Sequence, residues 1–327
     1  RMHQSLHHLV ADAPWNDQEL LEQVRRQVLP AMEKHGPVVA WIIDDTGFPK
    51  QGKHSVGVAR QYCGQIGKQE NCQVAVSLSL ATERGSVPID WRLYLPEAWA
   101  RDRRRRKRSG VPTGVKFLTK PQIALEQIRA AKAAGVAIGI VLADAGYGLS
   151  APFRQGLTAR ELVWAVGIPR HLKVYPADVQ MIWPVAGRGR PRKRHVPDIL
   201  SMAAEDMLAD ATWQNISWRT GTKGKLKARF AADRVRIADG PPQRIRDKGQ
   251  QHLPGDEAWL IGEHRLSGEK KYYLANLPAK TDLRTLAATI KARWICEQAH
   301  QQMKEELGLD HFEGRSWQGL HRHALMT

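Results

Sequence analysis

Four carboxylates stand where this sequence could arrange chemistry. Asp44 and Asp45 follow the apolar run Trp41-Ile42-Ile43, and Asp144 closes the apolar run AIGIVLA. Carboxylates at the carboxyl ends of neighbouring strands point into the crevice where open α/β sheets bind ligands. Asp in such places also caps turns and helices, and for either site alone capping is the simpler reading. Two of them on strands of one sheet, in so basic a chain, favour a site. The fourth carboxylate is Glu297. Arg293, Glu297 and Lys304 are spaced by four and seven residues and so share one helical face. Such a face can be a solvated salt-bridge ladder, but Trp294, Ile295, Leu307 and Leu309 around it imply close packing.

The charge indicates the partner. The 327 residues hold 50 Lys+Arg against 33 Asp+Glu, a formal charge of +17. Residues 101–108 (RDRRRRKR) contribute seven bases and one acid, and residues 151–289 contribute 24 bases and 14 acids, so the remainder is nearly neutral. Concentrated positive charge fits a polyanion, because each neutralised phosphate releases condensed counterions. A solvated, solubilising loop is the bland alternative. The segment GRGRPRKR places Arg188, Arg190 and Arg192 around the R-G-R-P core of an AT-hook. Minor-groove insertion and general phosphate contact weigh equally there.

Composition excludes other classes. The apolar fraction is 42% and the charged fraction 25%, ordinary for a globular protein. Mean hydropathy is −0.46, and no apolar run approaches the ~20 residues that span a bilayer. No charged-then-apolar leader opens the chain, which reads as a fragment lacking both natural ends. Cys63, Cys72 and Cys296 form no C-x-x-C pair, so neither a disulfide framework nor a zinc ribbon is supported and a reducing cytosol is expected.

The elements that must position these groups follow from periodicity and punctuation. Asn16 with Glu19 is a capping box, and Leu20, Leu21, Val24 and Val28 form a helical stripe ending near Pro30. Residues 37–46, 71–82 and 87–95 read as strands, with Gly57–Gly67 connecting the first two as a hairpin. A helix from Thr119 and Pro121 stops at Gly135, a strand ends at Asp144, and a short helix near 151–159 and the strand ELVWAVG follow. This order predicts an α/β core with an antiparallel meander and then a right-handed crossover. The expected organisation is an N-terminal helical, DNA-binding segment (1–36), a first part of the core (37–169), a β-rich basic insertion (170–280) and a C-terminal helical part of the core (281–327), whose helix runs unbroken over 282–307.

Asp45-Thr46, Asp144 and the R-x3-E-x6-K string Arg293-Glu297-Lys304, with the phrases DDTGFPKQGKHSVGVARQYCGQIGK, ADAGYG and KEELGLDHFEGRSW, together resemble bacterial insertion-sequence DDE transposases with the Y-x2-R-x3-E-x6-K signature. The resemblance covers nearly the whole chain. Ile290 stands where the signature has Tyr. The resemblance implies an RNase H-like mixed sheet flanked by helices, with a β-rich insertion between the second Asp and the Glu. It makes Asp45, Asp144 and Glu297 the catalytic metal ligands.

Phosphodiester cleavage requires an in-line nucleophile and stabilised charge on the attacking and leaving oxygens, and two divalent ions ~3.5–4 Å apart serve both needs. Hard Mg²⁺, or Mn²⁺ in its place, takes oxygen ligands, so three carboxylates suffice. Asp44 is the alternative to Asp45, since adjacent strand residues face opposite sides. Arg293 and Lys304 would hold phosphates flanking the scissile one, with Arg103, Arg104 and Arg105 adding contacts. The expected partners are double-stranded DNA, as terminal inverted repeats and target, and a second copy in a homodimeric DNA complex in the bacterial nucleoid, with no membrane. Trp259, Tyr272 or Tyr273 could stack a flipped base, although strand aromatics are more often core. His321 and His323 read as surface or DNA-facing. Two other readings stand beside this one: a domesticated DNA-binding protein without turnover, and a structure-specific nuclease.

Overall fold

The structure is a computed structural model that describes residues 8, 13–14, 16–34, 36–183, 194–221, 224–244 and 249–327. It is mixed α/β and divides into two compact units, residues 1–140 with 293–327, and residues 141–292. Among the described residues, no helix is long and apolar enough to cross a membrane.

The first unit is built on strands β1 (Ala40–Pro49), β2 (Ala59–Cys63), β3 (Lys68–Ala81) and β4 (Ser86–Leu93). β3 is central. It pairs antiparallel with β1 from Ala40↔Ala81 to Pro49↔Cys72. Its other edge is shared by β2 near Lys68–Cys72 and by β4 near Ala75–Ala81. The expected hairpin over Gly57–Gly67 therefore contains a strand of its own, β2. Both faces of β3 are covered, since every residue from Cys72 to Ala81 is buried. Helices cover both sides, so the serines on the second face, Ser77 and Ser79, are core residues.

Local signals place the helices. Asn16 Oδ1 accepts from Gln18 N and Glu19 N, and its Nδ2 donates to Glu19, opening the helix Asp17–Glu33. This helix continues through Pro30, which the sequence reading takes as its stop. Thr119 and Gln122 form a reciprocal capping box at the helix Lys120–Ala133. Its buried Gln127 donates to Val76 O of β3 and to Asp90 of β4. Trp41 is fully buried and donates to Ala137 O at 2.8 Å. Close approach dictates Gly139, where a Cβ would meet Ala40 N at 2.6 Å.

In the second unit, β5 (Ile140–Ala143) and β6 (Trp164–Ile168) pair in parallel, joined through the helices Ala145–Gly148 and Ala151–Thr158. β6 then pairs antiparallel with Lys270–Ala275, which pairs with Glu257–His264, and that strand with Gly224–Ile237. The described residues of 170–280 are thus β-rich, and these strands extend the β5–β6 sheet. A Cβ at Gly148 would lie 1.8 Å from Gly167 O, so the ADAGYG turn sits directly on β6.

The helix expected over 282–307 is two helices, Leu283–Lys291 and Trp294–Glu305, parted at Ala292-Arg293. No Gly or Pro lies between residues 279 and 307, so no local breaker dictates the break. Ile290, in the signature's Tyr position, is buried with Leu286 and Ala287.

Candidate active site

Consecutive residues of a strand face opposite ways, so Asp44 and Asp45 meet different elements. Asp45 Oδ2 lies 2.5 Å from Lys120 Nζ at the start of the helix Lys120–Ala133, both side chains a little under one-third exposed. Asp44 turns toward the helix Trp294–Glu305. Arg293 Nη1 lies 3.1 Å from its Oδ1, and the same guanidinium pairs with Glu297 Oε1. Arg293 therefore links a β1 carboxylate to the helix carboxylate. Within the first unit, the structure brings together Asp44, Arg293 and Glu297 from the sequence candidates, with Asp45 next to Asp44 along the chain. Lys120 has no motif around it and is absent from the sequence reading.

Lys304 is less available for a phosphate than its spacing suggests. Its ammonium donates to Gly47 O at 3.0 Å and Gln65 Oε1 at 3.3 Å, and stands 5.5 Å from the Phe48 ring centroid. Burial lowers its pKa, against the opposing pull of Asp310. It fastens the helix to the end of β1.

Beneath this surface lies a cluster that spacing alone does not single out. Cys296 and His300, one turn apart, are buried against β3. His300 Nε2 is 3.0 Å from Ser77 Oγ, and Cys296 Sγ is 3.5 Å from Ser79 Oγ. Asp44 Oδ2 is 3.9 Å from His300 Nδ1. The ligand atoms of Asp44, Cys296 and His300 all lie within 4.8 Å of one another, a group able to hold a metal ion. Burial, with Lys304 and Arg293 nearby, lowers His300 to about 4. Burial, reinforced by the Asp44 carboxylate, raises the Cys296 thiol to about 12.

In the second unit, Asp144 follows β5 and caps the next helix, its Oδ1 accepting from Gly146 N at 2.9 Å and Tyr147 N at 3.3 Å. Capping is thus a real role of this side chain. Both of these hydrogen bonds fall on Oδ1 and neither on Oδ2.

The basic run is a short helix, Arg103–Arg108, capped by Asp102. Arg103 and Arg104 are exposed. Arg105 lies 3.9 Å from the Trp99 ring centroid and donates to Lys53 O. Arg106 donates to Ala100 O and Pro112 O. Part of the run thus holds the fold. Arg188, Arg190 and Arg192 lie outside the described residues.

The aromatic candidates follow the core reading in part. Tyr272 is buried, and the Tyr273 hydroxyl donates to Glu263 at 2.7 Å. Trp259 is half-buried, donates to Pro278 O and faces the Arg234 guanidinium. The surface reading of the two late histidines is corrected. His321 is buried, stacked on Trp317 at 4.2 Å and edge-on to Trp91. His323 is half-buried, with Nε2 3.0 Å from Gly308 O. Both lie on the helix Trp317–Met326, whose Leu320 enters the core of Val58, Leu93 and Trp99, so their alternation follows helical packing.

The profile of the family described as DDE superfamily endonuclease matches residues 1–225. The chain is 34% identical over 147 residues to a curated protein of Microchaete diplosiphon, "Probable transposase for insertion sequence element IS701". That alignment covers 45% of this chain and 35% of the relative, so the matched part spans about a third of the relative's length. Among solved structures, the chain is similar to the piggyBac transposase in its synaptic complex with hairpin DNA, with TM-score 0.38, 10% identity, and coverage of 94% of this chain and 52% of that one. It is also similar to the NurA nuclease from Sulfolobus solfataricus, with TM-score 0.32, 9% identity, and coverage of 89% and 92%.

Proposed function

The chain belongs to the DDE superfamily endonucleases, and we propose that it is an insertion-sequence transposase, cutting DNA at element ends and joining the ends to a target. The observation that carries this reading is the joint presence of Asp45 on β1, Asp144 after β5 and Glu297 on its helix, with Arg293 bound to Glu297. In this reading Asp45, Asp144 and Glu297 are the catalytic carboxylates.

The donor set fits hard divalent cations. Asp45 already holds a cation, the Lys120 ammonium, Glu297 is exposed, and Asp144 caps its helix through Oδ1. Asp45, Asp144 and Glu297 would hold two Mg²⁺ or Mn²⁺ ions, which supply charge stabilisation at the attacking and leaving oxygens. Arg293, tied to Glu297, orients that carboxylate and presents a guanidinium suited to a flanking phosphate. Exposed Arg103 and Arg104 add backbone contacts that position the duplex without reading its sequence. Duplex DNA carrying the element ends, and a second copy of the chain bound with it, are the partners of this activity.

The experiment uses labelled DNA carrying the element's terminal repeats, with and without Mg²⁺. Cleavage followed by joining supports the transposase. Cleavage without joining indicates a nuclease, and a mobility shift without cleavage indicates a binding protein that has lost turnover.

A further inference from the structure

The Glu297 helix carries a second set of ligand atoms on its buried face. Cys296 and His300 are four residues apart and project from adjacent turns, a spacing that lets one helix supply two ligands to one ion. Asp44 of β1 stands opposite. His300 Nδ1 is 3.8 Å from Cys296 Sγ and 3.9 Å from Asp44 Oδ2. Ligand atoms ~2.0–2.3 Å from a tetrahedral zinc ion lie about 3.3–3.8 Å apart, so these two sides match the upper end of the required size, and all three lie within 4.8 Å.

The surrounding hydrogen bonds aim the donors inward. Ser77 Oγ has one proton and donates it to Asp44 O at 3.2 Å. Its 3.0 Å contact with His300 Nε2 anchors that edge of the ring. Nδ1 then faces Cys296 and Asp44, and in the tautomer whose Nε2–H donates to Ser77 it carries the lone pair that a metal ion takes. Cys296 directs its S–H at Ser79 Oγ, and Arg293 lies against Asp44 Oδ1 while Asp44 Oδ2 is the oxygen nearer the histidine. A histidine oriented by an outer hydrogen bond beside a carboxylate and a thiol is how proteins prepare a metal ligand.

The geometry points to a zinc-class site formed by Asp44, Cys296 and His300, which clamps the Glu297 helix to β1. A sulfur, nitrogen and oxygen donor set suits a borderline ion such as Zn²⁺ and is poor for Mg²⁺. Binding forms a Zn–Sγ bond and releases the thiol proton to solvent, so affinity rises with pH. Three protein ligands leave the fourth position to water. Its ligands are none of Asp45, Asp144 and Glu297, although Arg293 links Asp44 to Glu297, and the proposal does not depend on the transposase reading.

Titrating chelator-stripped full chain with Co²⁺, a coloured surrogate for Zn²⁺, tests this. One Co²⁺ per chain with a thiolate-to-cobalt charge-transfer band is expected, displaced by Zn²⁺ and unaffected by excess Mg²⁺. Cys296→Ser should abolish the band. Ser77→Ala, which removes no ligand, should keep the chain folded and weaken cobalt binding at least ~10-fold. Asp45→Asn and Asp144→Asn should retain the band, so failure of the carboxylate assignment would leave this result standing. Absence of the band in the unmodified chain overturns the site. So does its persistence in Cys296→Ser, which would assign it to Cys63 and Cys72, or full-strength cobalt binding in folded Ser77→Ala.

Discussion

Lys120 holds its Nζ 2.5 Å from Oδ2 of Asp45, joining the first turn of one helix to β1. One residue earlier on the same strand, Asp44 is neutralised from elsewhere, by Arg293. Two adjacent carboxylates of like chemistry are therefore bound to different helices, and this separates the roles assigned to them.

A divalent ion at Asp45 competes with the Lys120 ammonium. Lys120→Gln removes that competitor. A partly exposed ion pair is worth ~0–1 kcal/mol, so half-maximal activity should move to a Mg²⁺ concentration lower by up to about fivefold. A Mg²⁺ titration of nicking by both proteins checks this, and an unchanged or raised requirement contradicts it.

Asp144→Asn keeps an oxygen able to accept from Gly146 N and Tyr147 N, because Asn caps helices as well as Asp does. Melting should stay near that of the unmodified chain and DNA affinity should persist, while cleavage falls on the order of 100-fold or more, the scale of losing several kcal/mol of metal stabilisation. Asp45→Asn should match that loss. Asp44→Asn should cut more slowly than the unmodified chain yet faster than Asp45→Asn, and the reverse order would make Asp44 the ligand.

Arg293→Ala separates catalysis from stability less cleanly than helical spacing alone implies. An exposed ladder pair could be removed at little cost, but Asp44 is only 13% exposed. Removing the guanidinium beside it should cost ~1–3 kcal/mol and lower the melting temperature by a few degrees. Nicking measured well below that temperature should still fall on the order of 100-fold. Lys304→Ala, which strips the ammonium from Gly47 O and Gln65, should lower melting with a smaller change in rate. Equal rates in all three proteins would return this face to a salt-bridge ladder.

Burial lowers the pKa of His321, against its hydrogen bond to Trp317. The unfolded chain takes up that proton near pH 6.5 and the folded chain only at lower pH. The stabilisation is therefore complete above about pH 6.5 and lost as pH falls below it. His321→Phe keeps the ring stack and should flatten the decline in melting temperature below that pH, in part only, since His300 at about 4 acts in the same sense. An unaltered decline excludes His321 as a source.

Replacing the exposed bases Arg103, Arg104, Lys107 and Arg108 by Gln should reduce the salt dependence of DNA binding. The log–log slope changes by about 0.9 for each duplex phosphate that is no longer neutralised. Arg105 and Arg106 should contribute through folding, because they hold Trp99 and backbone carbonyls. An unchanged slope in the four-base variant would place the phosphate-binding bases elsewhere.

Local signals decided much of this protein. The Asn16 and Thr119 caps, the apolar run before Asp44 and the strand ending at Asp144 each rest on neighbours in sequence, and the structure has these elements close to their expected positions. The positions of Asp45 and Asp144 at or near strand ends, and of Arg293 one turn before Glu297, were legible because strand ends and helical spacing are local properties. What long-range packing decides was not. The strand pattern of residues 71–82 does not tell that a helix more than 200 residues later covers Ser77 and Ser79, and His321 reads as surface until Trp91 and Trp317 enclose it. The break at Ala292-Arg293 has no local breaker. Lys120 on Asp45, and the meeting of Cys296 and His300 with Asp44, bring together residues 75 or more positions apart. Periodicity reports which side of an element is apolar; which polar group lies opposite is a property of the assembled sheet and its helices.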